Sequence, residues 1–535
     1  MSSAATLSTP SVTARTGTLL RFHLRRNRTM VMWWTIGIVA LYYSTAAGIE
    51  SLYPTQADLD SAAATMGANN AFIAMAGPAR ALNTVGGQTA WQASAFGAVT
   101  MGLMAMFLVG RTTREDEERG RSELVLAAPV GRLATATAAA ILTAGATVLA
   151  GALITASLVI FGLPVAGSVS LGLAAALAGM VFGSATAVMA QVFPTTRGVY
   201  AASGGLIGAA YVLRAIGDVG NGVLSWLSPI GWGQAMRPYA DEIWWPALLS
   251  VAAVVVSAVL VVLMFDRRDE GAGLWTPGPG PSNAGKTLSG PVGFAWRLQR
   301  GSIIGWSFGM LLAGFAYGTI GDDVEPVIGD SGYANDLFAQ AGPSLTDSFY
   351  ASSVLMLALI ASGFAVSSAM RPHREESEGR TETLLATRLT RLRWAGAHGL
   401  MTVIGSLLAL VATGIGLELG YGTFTGDWSG TGALVGAPIT YLPAVLCLAG
   451  VVAVVYGWAN RYTPITWIGL VFAVTIYVLG PILHFPEWVA NISPFSHVPQ
   501  VPAVDVDLVP LLWLTAAVVL LTAAGAVGLK RRDLD

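Results

Sequence analysis

The residues in this chain best suited to chemistry form two runs of arginine and acid. The first reads Arg111-Thr-Thr-Arg-Glu-Asp-Glu-Glu-Arg-Gly-Arg-Ser-Glu123, and the second Arg371-Pro-His-Arg-Glu-Glu-Ser-Glu-Gly-Arg-Thr-Glu382. Allowing one inserted residue, Arg119, the string Glu118, Gly120, Arg121, Ser122, Glu123 lies over Glu378, Gly379, Arg380, Thr381, Glu382. Only 11% of the chain is charged, so runs of this density are not filler. Their chemistry is electrostatic recognition. On a helix, Glu115 and Glu117 stand i,i+4 before Arg119 and Arg121, and Glu376 stands so before Arg380, which is the favourable order for ion pairs. Gly120 and Gly379 interrupt that pattern, which predicts a short helix, a break and a second turn. Charges of both signs fixed on such a surface set register and encounter rate for a soluble partner. A solvated loop obeying the positive-inside rule would explain the arginines but not the acids.

Other candidates carry less. Arg214 and Asp218 form a possible charge pair near the outer end of an apolar run, where ionisable residues are functional candidates or locally paired anchors. Gly280-Pro-Ser-Asn-Ala-Gly-Lys-Thr287 satisfies the phosphate-loop pattern. That loop works between a strand and a helix start, whereas this copy follows Thr276-Pro-Gly-Pro and has no nucleotide-binding domain around it, so it reads as a false match. The single cysteine, Cys447, excludes an internal disulfide and a CxxC site, and the five histidines show no ligand spacing. No catalytic residue, metal site or cofactor is expected in the chain itself. Apart from Glu418 near an outer end, the apolar runs lack acids, which argues against ion-coupled transport.

The elements that position these runs are apolar helices. Hydrophobic residues make up 54% of 535, and mean hydropathy is +0.62, which does not suit a soluble protein. Runs long enough to cross a hydrocarbon core lie near 30–49, 92–110, 134–160, 169–193, 197–218 and 245–265, then near 302–319, 349–370, 395–419, 433–457, 464–483 and 508–529. The expected fold is therefore an all-α polytopic membrane protein with about twelve spans. With the N-terminus inside, every Lys and Arg except Arg80, Arg214 and Arg237 falls on a cytoplasmic segment, so both termini are expected in the cytoplasm of a multi-pass plasma-membrane protein. The stretches Leu19–Arg28 and Phe294–Arg300 mix apolar residues with arginine and are either amphipathic helices along the inner interface or simple basic flanks of the spans that follow. Trp226, Trp232, Trp244 and Trp245 suit an aromatic belt at the opposite face.

Further features repeat in order at a near-constant offset. Ala76-Gly77-Pro78 returns as Ala341-Gly342-Pro343, Arg197 as Arg461, Leu227-Ser228-Pro229 as Ile492-Ser493-Pro494, and Arg267-Arg268-Asp269 as Arg531-Arg532-Asp533. This predicts two parallel six-helix repeats, 1–265 with its charged segment at 111–132, and 293–535 with its segment at 371–393. A Gly-, Pro- and Ser-rich flexible linker, 266–292, joins them. An even number of spans per repeat implies an axis along the membrane normal.

With these residues in place, the chain resembles a type-2 ABC exporter permease, of the double-length actinobacterial group of polyketide-antibiotic, tetronasin-type and multidrug exporters. The resemblance rests on the two charged segments, Tyr53-Pro54-Thr55, the Ala-Gly-Pro signatures and the string Leu213-Arg214-Ala-Ile-Gly-Asp218. It implies that the segment after the second span of each half contacts a nucleotide-binding subunit, through Glu118, Gly120, Arg121 and Glu123 and through Glu378, Gly379, Arg380 and Glu382. It further implies a separate ATPase polypeptide in two copies, carrying ATP and Mg, that drives export of lipophilic antibiotics or drugs. The inserted Arg119, and Arg388, Arg391 and Arg393 where the first copy has Pro129-Val-Gly-Arg132, leave the equivalence of the two sites open. Nucleic acid is not an expected partner. A non-transporting scaffold or sensor and a proton-driven drug carrier are the rival readings.

Overall fold

The computed structural model describes residues 11–535 except 69, 266, 269–270, 276–277, 279–281, 286–287, 289, 320–344, 429–430, 484–485 and 533–535. Ala341-Gly342-Pro343, Asp322, Asp323, Asp269, Asp533 and His484 lie outside the described residues, as do Gly280, Pro281, Lys286 and Thr287 of the phosphate-loop match. Among the described residues every regular element is helical. The chain forms two compact units, Met1–Pro279 and Gly280–Asp535.

The first unit contains α1 (Thr16–Leu52), α2 (Gln56–Ala68), α3 (Asn70–Ala76), α4 (Val85–Thr112), α5 (Arg114–Glu118), α6 (Arg121–Leu126), α7 (Ala134–Phe161), α8 (Val165–Val192), α9 (Thr196–Val219), α10 (Pro229–Ala235) and α11 (Ala247–Phe265). Side-chain caps set several starts. Thr84 accepts from Gly87 N at the head of α4, and Thr195 accepts from Gly198 N at the head of α9. The cap at Thr84 starts α4 well before residue 92, where the apolar run alone placed it. Helices α4 and α8 are the most buried and pack on each other, with α1, α7, α9 and α11 around them. Small residues allow the close approach: a Cβ on Gly151 or Gly172 would lie about 2.5 Å from the backbone of the other helix. By contrast α11 exposes Leu248, Val251, Val255, Val259 and Leu263, a surface that water does not tolerate and hydrocarbon does.

The second unit contains α12 (Pro291–Gly318), α13 (Leu345–Ala369), α14 (Arg371–Ser377), α15 (Arg380–Leu385), α16 (Arg391–Thr425), α17 (Leu442–Ala459), α18 (Trp467–Leu483) and α19 (Leu508–Arg531). Gly314 and Gly318 of α12 abut the backbone of α16 at Thr413 and Leu417. Among the described residues eleven helical stretches are long and apolar enough to cross a membrane, six in the first unit and five in the second. One of the five, Gly432–Tyr477, has 46 residues. At 1.5 Å per residue it would be about 69 Å long, twice a bilayer core, and a 3₁₀ segment at Asn460–Thr466 divides it into α17 and α18. Counted that way each unit has six.

Two sequence expectations are sharpened here. Leu19–Arg28 and Phe294–Arg300 are not separate interfacial helices but the continuous N-terminal turns of α1 and α12, because nothing in either stretch breaks the helix. The described part of the Gly/Pro linker is also less free than its composition suggests. Leu274 N and Trp275 N donate to the carbonyls of Gln191 and Val192 at the end of α8, and Trp275 packs edge-on against Phe193.

Candidate functional site

Each charged run folds as a pair of short helices around a glycine. Gly120 stands at φ 66° between α5 and α6, and Gly379 at φ 71° between α14 and α15. That left-handed conformation costs a residue with a Cβ about 1–2 kcal/mol, which is why glycine holds the break in both copies. Nothing lies within 4 Å of where either Cβ would be, so only the backbone demands glycine there.

The break redirects the ion pairs. The expected i,i+4 pair of Glu115 with Arg119 forms at 2.7 Å. The pairs of Glu117 with Arg121 and of Glu376 with Arg380 do not, because the left-handed residue between them ends the 3.6-residue repeat. Arg121 Nε donates instead to Asp116 Oδ1 at 2.9 Å, and Arg380 Nε donates to Glu375 Oε2 at 2.7 Å. In both units an acid of the first short helix holds the arginine just past the glycine. The same hydrogen bond to Glu375 lifts the Arg380 guanidinium above its ordinary pKa, so it stays charged.

The acid next in sequence ties the segment to the last long helix of its unit. Arg268, just past α11, donates from Nη1 to Glu117 Oε2 at 2.8 Å and from Nη2 to Glu117 Oε1 at 2.5 Å. Arg532, just past α19, donates to the two oxygens of Glu376 at 2.7 and 2.8 Å. Two-pronged guanidinium–carboxylate pairs fix orientation as well as distance. Each has support: Gln191 accepts from Arg268 Nε at 2.6 Å, and Tyr456 donates its hydroxyl to Glu376 at 2.7 Å. Arg114 also pairs with Glu117, and Arg26 of α1 with Asp116 at 2.7 Å.

The two units thus sort their charges alike. Asp116, Glu375 and Glu376 are buried and Glu117 nearly so. Glu118, Glu123, Glu378, Arg380 and Glu382 are exposed, while Gly120 and Arg121 are half-buried and Gly379 is exposed. Glu118 accepts a hydrogen bond from Thr196, and Glu378 pairs with Arg380. Of the residues singled out from sequence, then, the outer acids face solvent, while Arg121 and Arg380 also serve the internal fold. Asp116, Glu117, Arg268, Glu375, Glu376 and Arg532 were missed as site residues. The signal was present: Arg268 and Arg532 recur at nearly the offset that separates Glu117 from Glu376.

Arg214 and Asp218 are both buried and stand 3.4 Å apart. Arg214 donates to the carbonyls of Met75 at 3.0 Å and Ile73 at 3.5 Å. These are among the last carbonyls of α3; that of Ile73 also accepts from Gly77 N and that of Met75 from the Tyr211 hydroxyl. Asp218 accepts from Ser225 at 2.5 Å. The pair therefore staples the loop between α1 and α4 onto α9. Gly77 beside it has φ 121°, and a Cβ there would strike Gln234 at 2.4 Å, which explains the Ala-Gly-Pro signature in this unit.

Helices of this length and apolarity, exposing aliphatic faces and ending in paired charges, make the chain a multi-pass membrane protein. A family model described as the C-terminal domain of the multidrug efflux system permease Rv1217c matches residues 288–530. The chain is also 39% identical over 525 residues to the multidrug efflux system permease protein Rv1217c of Mycobacterium tuberculosis, covering 97% of this chain and 95% of that one. It belongs to this family of multidrug efflux permeases.

Proposed function

We propose that this chain is the membrane subunit of an ATP-driven exporter of lipophilic drugs or antibiotics, energised by a separate ATPase subunit that docks on the α5–α6 and α14–α15 segments. The observation that carries the reading is the duplicated clamp, in which Glu117 with Arg268 and Glu376 with Arg532 join each exposed charged segment to a long helix. Solvated loops need no such bracing. A segment that must take a push and pass it to a span does.

In this reading Glu118, Gly120, Arg121 and Glu123, with Glu378, Gly379, Arg380 and Glu382, form the contact faces. Both termini and both segments lie in the cytoplasm. Two ATPase copies bind per chain, one at each segment, and hold the ATP and Mg that this chain does not need. The buried acid–arginine pairs carry the force, because breaking them would leave unpaired charges. The relative's printed name, a multidrug efflux permease, supports the efflux direction and the range of cargo.

The test is a mild-detergent pull-down of the tagged chain with quantified subunit stoichiometry, paired with drug efflux from cells. Reversing Glu118, Glu123, Glu378 and Glu382 to lysine should strip the ATPase and stop efflux, while the chain stays in the membrane. Unchanged efflux and ATPase recovery would overturn the reading.

A further inference from the structure

At the end of the first unit that carries α5 and α6 lies a cavity of about 560 Å³, in the size range of small-ligand sites. Part of its wall is apolar, made by Leu19 and Phe22 of α1, Val125 of α6 and Phe265 of α11. Its charged lining is Arg26, Arg121, Arg132 and Arg268 together with Asp116 and Glu117. Leaving Arg132 aside and counting Arg114, which also pairs with Glu117, four guanidinium groups share two carboxylates. A positive surplus in a partly desolvated site favours an anion.

His23 is the second observation. It lines this cavity, is only 2% exposed, and neither ring nitrogen has a hydrogen-bond partner. Buried polar groups without partners are costly and uncommon. Water could serve His23 but would gain nothing from the apolar wall. The rim adds a third: Phe22 and Leu124 are 51% and 78% exposed beside the opening, so a chain leaving the cavity meets apolar surface.

We propose that this cavity binds an anionic membrane lipid, its phosphate group against His23 and the arginine surplus and its acyl chain along Phe265, Phe22 and Leu124. Basic pockets between transmembrane helices take lipid headgroups by this chemistry. The second unit provides the contrast. Its cavity beside α15 is smaller, about 330 Å³, and is lined by Glu376 and Glu382 against a single arginine, Arg391. Counting Arg532, which pairs with Glu376, two guanidinium groups meet two carboxylates, so no positive surplus is left for an anion and one site per chain is expected.

The experiment titrates the purified full chain in neutral detergent with dihexanoyl phosphatidylglycerol, and binding is read by native mass spectrometry. Dihexanoyl phosphatidylcholine and inorganic phosphate serve as separate arms. One phosphatidylglycerol should bind, with phosphatidylcholine about tenfold weaker, the scale of one charge-assisted hydrogen bond. His23→Leu, which removes both ring nitrogens, and Ala136→Phe, which fills the cavity without changing charge, should each weaken binding by about tenfold. Leu389→Phe, which narrows the cavity of the second unit, should change nothing. Equal binding of phosphatidylcholine, indifference to both cavity variants, or loss with Leu389→Phe would overturn the proposal. Inorganic phosphate displacing the lipid at equal concentration would make this a simple anion site and overturn the lipid reading. No arm depends on an ATPase, so the result stands apart from the proposed export function.

Discussion

In the first unit Asp116 is held from outside its own segment by Arg26 of α1, whereas in the second unit Glu375 is held by Arg371 of its own helix. Counting back from Trp33 and Trp306, the residue at the place of Arg26 is Gln299. Its side chain turns away to His398, at 3.1 Å, and to Ser368, which donates to it at 2.6 Å. Meanwhile the pair across the glycine and the two-pronged pair to the last long helix occur in both units. Pairs common to both units mark how the two charged segments are built alike, and pairs that differ mark where the units part. In both units these pairs tie a broken charged segment to the final long helix. What differs is the first helix, which among the described residues pairs with the charged segment through Arg26 in the first unit and turns Gln299 to His398 and Ser368 in the second.

The largest effect should come from breaking the shared clamp. Arg268→Ala and Arg532→Ala each leave a glutamate without its two-pronged partner, and losing one member of a buried pair costs about 3–5 kcal/mol. Thermal unfolding of the detergent-purified chain should show a large destabilisation in both variants, of similar size. A large loss in one alone would break the equivalence of the two clamps. Arg26→Gln and Gln299→Ala sharpen the difference. The first removes an ion pair to Asp116 and should cost about 2 kcal/mol more than an exposed-pair deletion in the same assay. The second removes a buried amide, leaving His398 Nδ1 without its partner, and should leave the Glu375–Arg380 pair, and with it ATPase recovery, intact.

Smaller effects fall on the glycines. Gly120→Ala and Gly379→Ala should each destabilise by about 1–2 kcal/mol through the backbone alone. Asn, which tolerates the left-handed region, should recover most of that loss. Similar losses at the two sites support a common fold of the segment; a clash-sized loss at either would contradict the open space around both Cβ positions. The smallest belongs to the residue present in one copy only. Arg119 is 60% exposed in its pair with Glu115, so Arg119→Ala should change stability by less than about 0.5 kcal/mol.

Much of this was legible beforehand. The long apolar runs announced the spans, and Gly120 and Gly379 announced the breaks, because only glycine adopts the left-handed turn without strain. The ion pairs were not, since a break changes which residues share a face and sequence spacing then no longer reports contact. Glu118 stood out by its match to Glu378, whereas nothing in the run itself marked Asp116 and Glu117, which the fold turns inward, as the acids that hold the segment. Arg214 and Asp218 read from sequence as a charge pair that was either functional or a local anchor, and the bonds of Arg214 to the end of α3 supply the local partners that spacing alone does not name. Partners that arrive from far along the chain, such as Arg268 for Glu117, were visible only as a repeated dipeptide with no assigned contact.

The central claim is that the exposed acids of both segments meet the same ATPase. The most direct test places a photo-crosslinking amino acid at Glu123, at Glu382 and, as a control at the far end of the first unit's spans, at Trp245. Cross-linking of an ATPase subunit from both Glu123 and Glu382, and not from Trp245, is the predicted result. An ATPase captured from neither acid position, in membranes where efflux is active, would contradict docking on these segments.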